Sequence, residues 1–86
     1  MKNQLATAVQ LTPILARVHG ANHPELARVR DLTAQLAQSS TTESSTQLFD
    51  QLRSITKNYA VPADGCEAYS AAYASLKAAD TAHRQN

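Results

Sequence analysis

Large apolar residues recur at intervals of three and four positions in four separate segments of the chain, and this spacing limits the fold more than any other feature. In the first segment these residues are Leu5, Val9, Leu11, Ile14, Leu15 and Val18. Such spacing places side chains on one face of an α-helix, whereas no segment shows the strict alternation of a half-buried strand. The sequence therefore predicts an all-α fold.

Signals for the starts and ends of helices lie between these segments. Pro13 is inside the first one, so that helix either kinks or restarts with Thr12 as its cap. Gly20 is expected to end it in the left-handed conformation, and Pro24 to stand in the first turn of the next helix. The segment Ser40–Glu43 matches a capping box. The predicted helices span about residues 3–19, 23–38, 41–58 and 63–83.

The chain length of 86 residues fits a single domain, 1–86. Four helices with short connections favour a small up-and-down antiparallel four-helix bundle. Its core is expected to be modest, because alanine supplies 16 residues, as many as leucine, isoleucine, valine and phenylalanine together. We therefore expect a domain that gains stability by association or from a bound ligand.

Charge and cysteine content exclude several classes of protein. The net charge is only +1 and no run of lysine or arginine occurs, which argues against nucleic acid or an anionic membrane as the partner. Polar residues interrupt the apolar N-terminal segment, so it predicts neither a signal peptide nor a membrane span. The single cysteine, Cys66, cannot form an internal disulfide. A cytoplasmic protein is the expectation.

Three histidines are the candidate metal ligands, and each has an alternative interpretation. His19 can hold a metal or haem, or can suit the helix C-terminus as a cation. His23 can be a ligand or part of a helix start beside Pro24, and His83 a ligand or a solvated side chain near the C-terminus. No nucleotide-binding, zinc-finger or catalytic-triad pattern is present, so we do not predict an enzyme. Carboxylates are available at Glu25, Glu43, Glu67 and Asp80.

Two further segments carry a longer pattern: ILARVHGANHPELARVRDL, residues 14–32, and LRSITKNYAVPADGCEAYSAAYASLK, residues 52–77. Both resemble hemerythrin-like proteins that repair iron–sulfur clusters. Family members carry a di-iron centre inside a four-helix bundle. In the second segment the residues at positions of the family pattern are Ile55, Thr56, Asn58, Tyr59, Pro62, Cys66, Tyr69 and Tyr73.

The resemblance implies a shortened relative with a degenerate di-iron site. His19 matches a family ligand, whereas Thr42 stands at the position of one family histidine and Asn86 at that of another. The second-helix His-x-x-x-Glu segment is missing. The cofactor is therefore unknown, and iron is expected only if another chain completes the site, with His23 and His83 as weaker ligands.

Several functions stay open at this level. The resemblance implies a stress-linked helper in iron–sulfur cluster repair or iron homeostasis. The alternative is a metal-free module that binds a protein partner or forms a homodimer through the alanine- and tyrosine-rich face of the fourth helix. A third option is small-ligand or haem binding between helices. Tyr69 and Tyr73 are expected in a core or interface, and Cys66 is either a reactive thiol or a small buried residue.

Overall fold

The computed structural model describes residues 2–85, and within them the fold is all-α with no strand. This confirms the predicted all-α class. Asn86, the position matched to a family histidine, lies outside the described residues. The helices are α1 (Lys2–His19), α2 (Glu25–Gln38), α3 (Thr42–Ile55) and α4 (Glu67–Gln85).

Helix α1 is continuous with Pro13 inside it, so of the two alternatives at Pro13 the restart with Thr12 as the cap is wrong. The expected left-handed conformation of Gly20 is also wrong, because no described glycine has a positive φ. Gly20 is needed for space instead: a Cβ atom there would clash with the carbonyl oxygen of Ala16. The backbone N–H of His23 donates to the carbonyl of His19 (2.8 Å) and closes the turn into α2.

The apolar residues of α1 do not all share one face, contrary to the prediction. Leu5 and Leu15 are buried, whereas Val9, Ile14 and Val18 are exposed. With 3.6 residues per turn, the six predicted positions cover more of the helix circumference than two neighbouring helices can bury.

The start of α3 is capped one residue later than the capping-box pattern indicates. Thr41 is the N-cap, and its hydroxyl accepts the backbone N–H of Ser44 (3.1 Å). The hydroxyl of Ser39 contacts that of Ser45 (2.9 Å), which ties the end of α2 to the start of α3. Residues 39–41 therefore form a short, locally hydrogen-bonded connection between α2 and α3.

Helix α3 ends at Ile55, three residues before the predicted end. Lys57, Asn58 and Tyr59 all have positive φ, at 53°, 62° and 64°. These left-handed values end the right-handed helix. Non-glycine residues reach this conformation at a cost of roughly 1–2 kcal/mol each. The hydroxyl of Thr56 accepts the backbone N–H of Tyr59 (2.8 Å) and holds the turn.

Helix α4 begins at Glu67, four residues after the predicted start. Residues 62–65, just before it, form a turn in which the N–H of Gly65 donates to the carbonyl of Pro62 (2.9 Å). A Cβ atom on Gly65 would lie 2.7 Å from the side chain of Val61, so glycine suits the close approach of the chain there.

The core is formed by apolar side chains from all four helices and the α3–α4 connection. Helix backbones pack most closely in three pairs: α1 with α4, α1 with α2, and α2 with α3. Tyr69, Ala72, Tyr73 and Ala79 are buried in this core. The alanine- and tyrosine-rich face of α4 thus packs inside its own chain, and a partner would reach it only if α4 left the bundle. Within residues 2–85 no helix combines the length and apolar character needed to cross a bilayer.

Candidate functional site

His19 and His23 lie at the same end of the molecule, where the α1–α2 turn meets the start of α4. Both imidazole rings contact the ring of Tyr69 edge-on, with centroid distances of 5.4 Å for His19 and 5.9 Å for His23. Tyr69 is in the first turn of α4 and is fully buried. The sequence-predicted pair of histidines is therefore brought together around one tyrosine.

The side chain of His23 is held between two carboxylates, and its backbone carbonyl accepts the N–H of Leu26 (3.0 Å) at the start of α2. Its Nε2 atom lies 3.0 Å from each carboxylate oxygen of Asp64, and its Nδ1 lies 3.4 Å from Oε2 of Glu25. The hydrogen bond to Asp64 chiefly raises the pKa of His23, and the same bond lowers the pKa of the Asp64 carboxyl. The arrangement favours an imidazolium that donates from both nitrogens, a state with no lone pair for a metal.

His19 faces the only cysteine. Its Nε2 atom lies 3.4 Å from Sγ of Cys66, which directly precedes α4. Cys66 is exposed, so the interpretation as a small buried residue is wrong. The reason is the late start of α4, which leaves position 66 in the surface connection.

His83 is far from the other two histidines. It lies 14 residues beyond Tyr69 on α4, which corresponds to roughly 21 Å along the helix axis. There its Nε2 is 2.8 Å from the hydroxyl of Thr46, and its ring packs on Phe49 at 5.3 Å between centroids. The side chain is half-buried rather than freely solvated. Over residues 2–85, no three His, Cys, Asp or Glu side chains are arranged to hold a metal ion.

Asp80, predicted as an available carboxylate, is instead fully buried in an ion-pair network between α3 and α4. Its two oxygens accept hydrogen bonds from Nη1 of Arg53 at 2.7 and 2.6 Å, and one also accepts the Tyr59 hydroxyl at 2.8 Å. Arg84 adds a further contact at 3.3 Å. Burial is the main cause that raises the pKa of Tyr59 well above its ordinary value, and the hydrogen bond to Asp80 raises it further. We call these four residues the Asp80 network.

The sequence carries a signal for this network that no known motif describes. Asp80 continues the series of buried α4 positions formed by Tyr69, Tyr73 and Leu76, at spacings of four, three and four. A carboxylate on the apolar face of a helix needs a charged or hydrogen-bonding partner. Arg53, near the end of α3, supplies it.

An open cleft of about 480 Å³ lies beside His23, at the same end as the two clustered histidines. We call it the Tyr69 cleft. Its volume is in the range typical of small-molecule sites. A second cleft, beside His83 and the Asp80 network, measures only about 190 Å³. The larger one is lined by His23, Glu25, Ile55, Thr56, Lys57, Ala60, Val61, Pro62, Tyr69 and Tyr73.

The Tyr69 hydroxyl is buried and has no hydrogen-bond partner among the described residues. Such a group forfeits the hydrogen bonds it makes with water, at a cost of about 1–3 kcal/mol. Burial raises the pKa of Tyr69, and also that of Tyr73, which packs against it at 5.0 Å between ring centroids. Both side chains are therefore neutral phenols at physiological pH and can donate a hydrogen bond.

Comparisons with protein-family models, with curated proteins and with solved structures found no match to this chain. The hemerythrin-like relationship thus stays a prediction that rests on the residues quoted above.

Proposed function

We propose that this chain is a hemerythrin-like, up-and-down antiparallel four-helix bundle that acts as a metal-free binding module. The observation that carries the proposal is the position of His23, which is paired with two carboxylates at the edge of the Tyr69 cleft. The histidine that is nearest to the cleft therefore serves to shape a binding site.

Contacts between helices support the proposed topology. Ala8 of α1 donates to the Ser75 hydroxyl of α4 (3.1 Å), and eleven residues later in α1 His19 meets Cys66, nine residues earlier in the chain than Ser75. This order fits opposite directions for α1 and α4. The pairs Arg28–Gln51 and Ser39–Ser45 fit opposite directions for α2 and α3 in the same way.

The distribution of ligands argues against a di-iron centre within one chain. Two iron ions need several neutral histidines and bridging carboxylates that converge on one point. Here His83 lies about 21 Å along the axis of α4 from Tyr69, the residue that His19 and His23 contact. Thr42, at the position of a family histidine, begins α3 and lines the smaller cleft beside His83.

Iron chemistry in the setting of iron–sulfur cluster repair would require a second chain. His19 and the exposed Cys66 are the adjacent donors that such a chain would meet. This outcome is the direct competitor of the metal-free proposal.

The test is iron content per chain after anaerobic reconstitution with ferrous iron, combined with molar mass from light scattering. We expect no stoichiometric iron and no change of thermal stability on adding it. About two irons per dimer, lost in His19→Ala but kept in His83→Ala, would contradict the proposal and indicate a shared site.

A further inference from the structure

Residues 61–66, the last part of the connection before α4, form a segment that few contacts hold in place. None of these residues is buried. Among the described residues, their side-chain hydrogen bonds to the rest of the chain all end on a histidine: Asp64 meets His23 at 3.0 Å, and Cys66 meets His19 at 3.4 Å. Segments with few buried apolar contacts are the ones that open most easily in a folded protein. We call residues 61–66 the strap.

The strap lies against the ring of Tyr69. A Cβ atom on Gly65 would stand only 3.4 Å from Cγ of Tyr69, and the imidazoles of His19 and His23 contact the same ring edge-on. Tyr69 is 0% exposed although it belongs to the first turn of α4. Displacing the strap from the two histidines would therefore uncover this ring, at the wall of the Tyr69 cleft.

The part of the connection before the strap is anchored in a different way. The backbone N–H of Tyr59 donates to the hydroxyl of Thr56 (2.8 Å), and the N–H of Ala60 donates to the carbonyl of Thr56 (3.0 Å). The Tyr59 hydroxyl also donates to the buried Asp80. No imidazole takes part in these bonds. The connection thus has a first half fixed to α3 and α4, and a second half whose side-chain anchors are histidines.

The contact between His23 and the strap depends on one proton. An imidazolium donates from Nε2 to Asp64 and from Nδ1 to Glu25 at the same time, whereas a neutral imidazole has one N–H and one lone pair. After loss of the proton, one carboxylate faces a lone pair, and the remaining hydrogen bond is no longer charge-assisted. The two carboxylates also lose the cation that they share. Histidine is the side chain whose ordinary pKa places this change near neutral pH.

The other titratable groups around His23 do not replace its charge. Tyr69, from α4, stays neutral because burial raises its pKa. Asp64 and Glu25 are the two carboxylates themselves, and the hydrogen bond from His23 lowers the pKa of Asp64. From α1, His19 faces Cys66. Lys57 lines the same cleft but, among the described residues, pairs with neither carboxylate.

We propose that residues 61–66 are a pH-sensitive strap, which is closed against Tyr69 while His23 is protonated and opens when His23 loses its proton. Opening uncovers the Tyr69 ring and moves Val61 and Pro62 away from the side of the Tyr69 cleft that they line. This inference names the regulation of that cleft, and its relevance to binding rests on the proposed function.

Amide hydrogen exchange of the full chain tests the strap, from about pH 5 to about pH 9, with protection corrected for the intrinsic exchange rate. The N–H of Gly65 donates within the strap, and that of Ser70 donates to the carbonyl of Cys66 (3.1 Å). Protection of both should fall about threefold with rising pH, the effect of losing an exposed ion pair. The midpoint should equal the pKa of His23 measured by NMR in the same samples. The N–H of Tyr59 should keep its protection.

Two variants assign the effect to one histidine. His23→Gln should give the lower protection of Gly65 and Ser70 at every pH, with no midpoint. His83→Gln is the matched control, because His83 lies in the last turn of α4, and it should keep the midpoint. Three results overturn the proposal: constant protection through the titration of His23, a midpoint that survives in His23→Gln, or an equal loss of protection at Tyr59.

Failure of this inference is distinct from failure of the proposed function. The exchange experiment uses the chain without metal or added ligand, so its result does not depend on binding. If iron binds stoichiometrically and depends on His19, the metal-free binding role is wrong whatever the strap does. If no iron binds and the protection of Gly65 and Ser70 is independent of His23, only the strap is wrong.

Discussion

Tyr59 and Tyr69 are both buried tyrosines, yet only one of their hydroxyl groups has a hydrogen-bond partner. The hydroxyl of Tyr59 donates to Asp80, whose oxygens also meet Arg53 and Arg84. The hydroxyl of Tyr69 has no partner among the described residues and belongs to a residue lining the larger cleft. One region of the molecule satisfies its buried polar groups completely, and the other does not.

Under the proposed binding role, the difference separates residues that hold the fold from residues that line a binding cleft. A buried network with every member paired fixes the packing of the elements it joins, here α3, the left-handed turn and α4. A donor left unpaired lowers stability, and such departures from good packing are expected at functional sites.

Asp80→Ala should have the largest effect. It removes the buried acceptor of the Tyr59 hydroxyl and of the partly buried Arg53 guanidinium, and losing these hydrogen bonds to a charged group should cost about 3 kcal/mol. Urea unfolding followed by circular dichroism measures the loss. Asp50→Ala is the matched control, because Asp50 also pairs with Arg53 but is exposed, and about 1 kcal/mol or less is expected. Equal effects of the two substitutions would show that the Asp80 network is not a buried unit.

Tyr59→Phe should lower the free energy of unfolding by about 2 kcal/mol, the usual range for a hydrogen bond to a charged group. The substitution keeps the ring in the core and removes only the donor to Asp80. Chemical denaturation of the purified variant gives the value. A neutral or stabilising result would mean that the network does not depend on this hydroxyl.

Lys57→Gly should stabilise the chain slightly, by less than about 1 kcal/mol. Glycine relieves the left-handed strain at φ 53° but adds entropy to the unfolded chain, so the two effects largely offset. Thermal unfolding provides the comparison. Lys77→Gly, in the middle of α4, should instead destabilise by about 1 kcal/mol. If both glycines destabilise equally, the turn carries no strain.

The His23 bridge predicts a pH dependence with a defined sign. The pKa of His23 is raised in the folded state, so its contribution is complete below the unfolded value of 6.5 and is lost as pH rises through the folded value. The pKa of Asp64 is lowered, so its contribution is lost as pH falls through that lowered value. The bridge is strongest between these two pKa values.

An NMR titration of the His23 ring measures this directly. Asp64→Asn should move the pKa of His23 back toward 6.5, because Asp64 is the main cause of its rise. Asp31→Asn, which alters an exposed carboxylate paired with Arg30, is the control and should leave the titration unchanged. An unchanged His23 pKa in Asp64→Asn would show that His23 and Asp64 do not form this bridge in solution.

The sequence predicted the four helices because apolar periodicity and Gly/Pro punctuation are local properties. It misplaced the end of α3 and the start of α4, because three left-handed non-glycine residues and the turn at Gly65 depend on tertiary contacts. Apolar spacing also failed to separate exposed Ile14 and Val18 from the buried residues of α1. Periodicity shows that a face exists but not how much of it a neighbouring helix covers.

The candidate site was predictable only in part. The pairing of His19 and His23 at one turn follows from their spacing around Gly20 and Pro24. Their partners Cys66 and Asp64 lie more than 40 positions away, and no local pattern indicated them. Whether the hydroxyl of Tyr69 has a partner is likewise a property of the packed structure.

The most direct test of the central claim is the free energy of unfolding of Tyr69→Phe in the absence of ligand, measured beside Tyr59→Phe. Removing an unpaired buried hydroxyl should raise the free energy of unfolding by about 1 kcal/mol, whereas removing the paired one lowers it. Opposite signs support the division between a structural network and a ligand cleft. A loss of stability in both variants would contradict it, because the Tyr69 hydroxyl would then already have a partner within the fold.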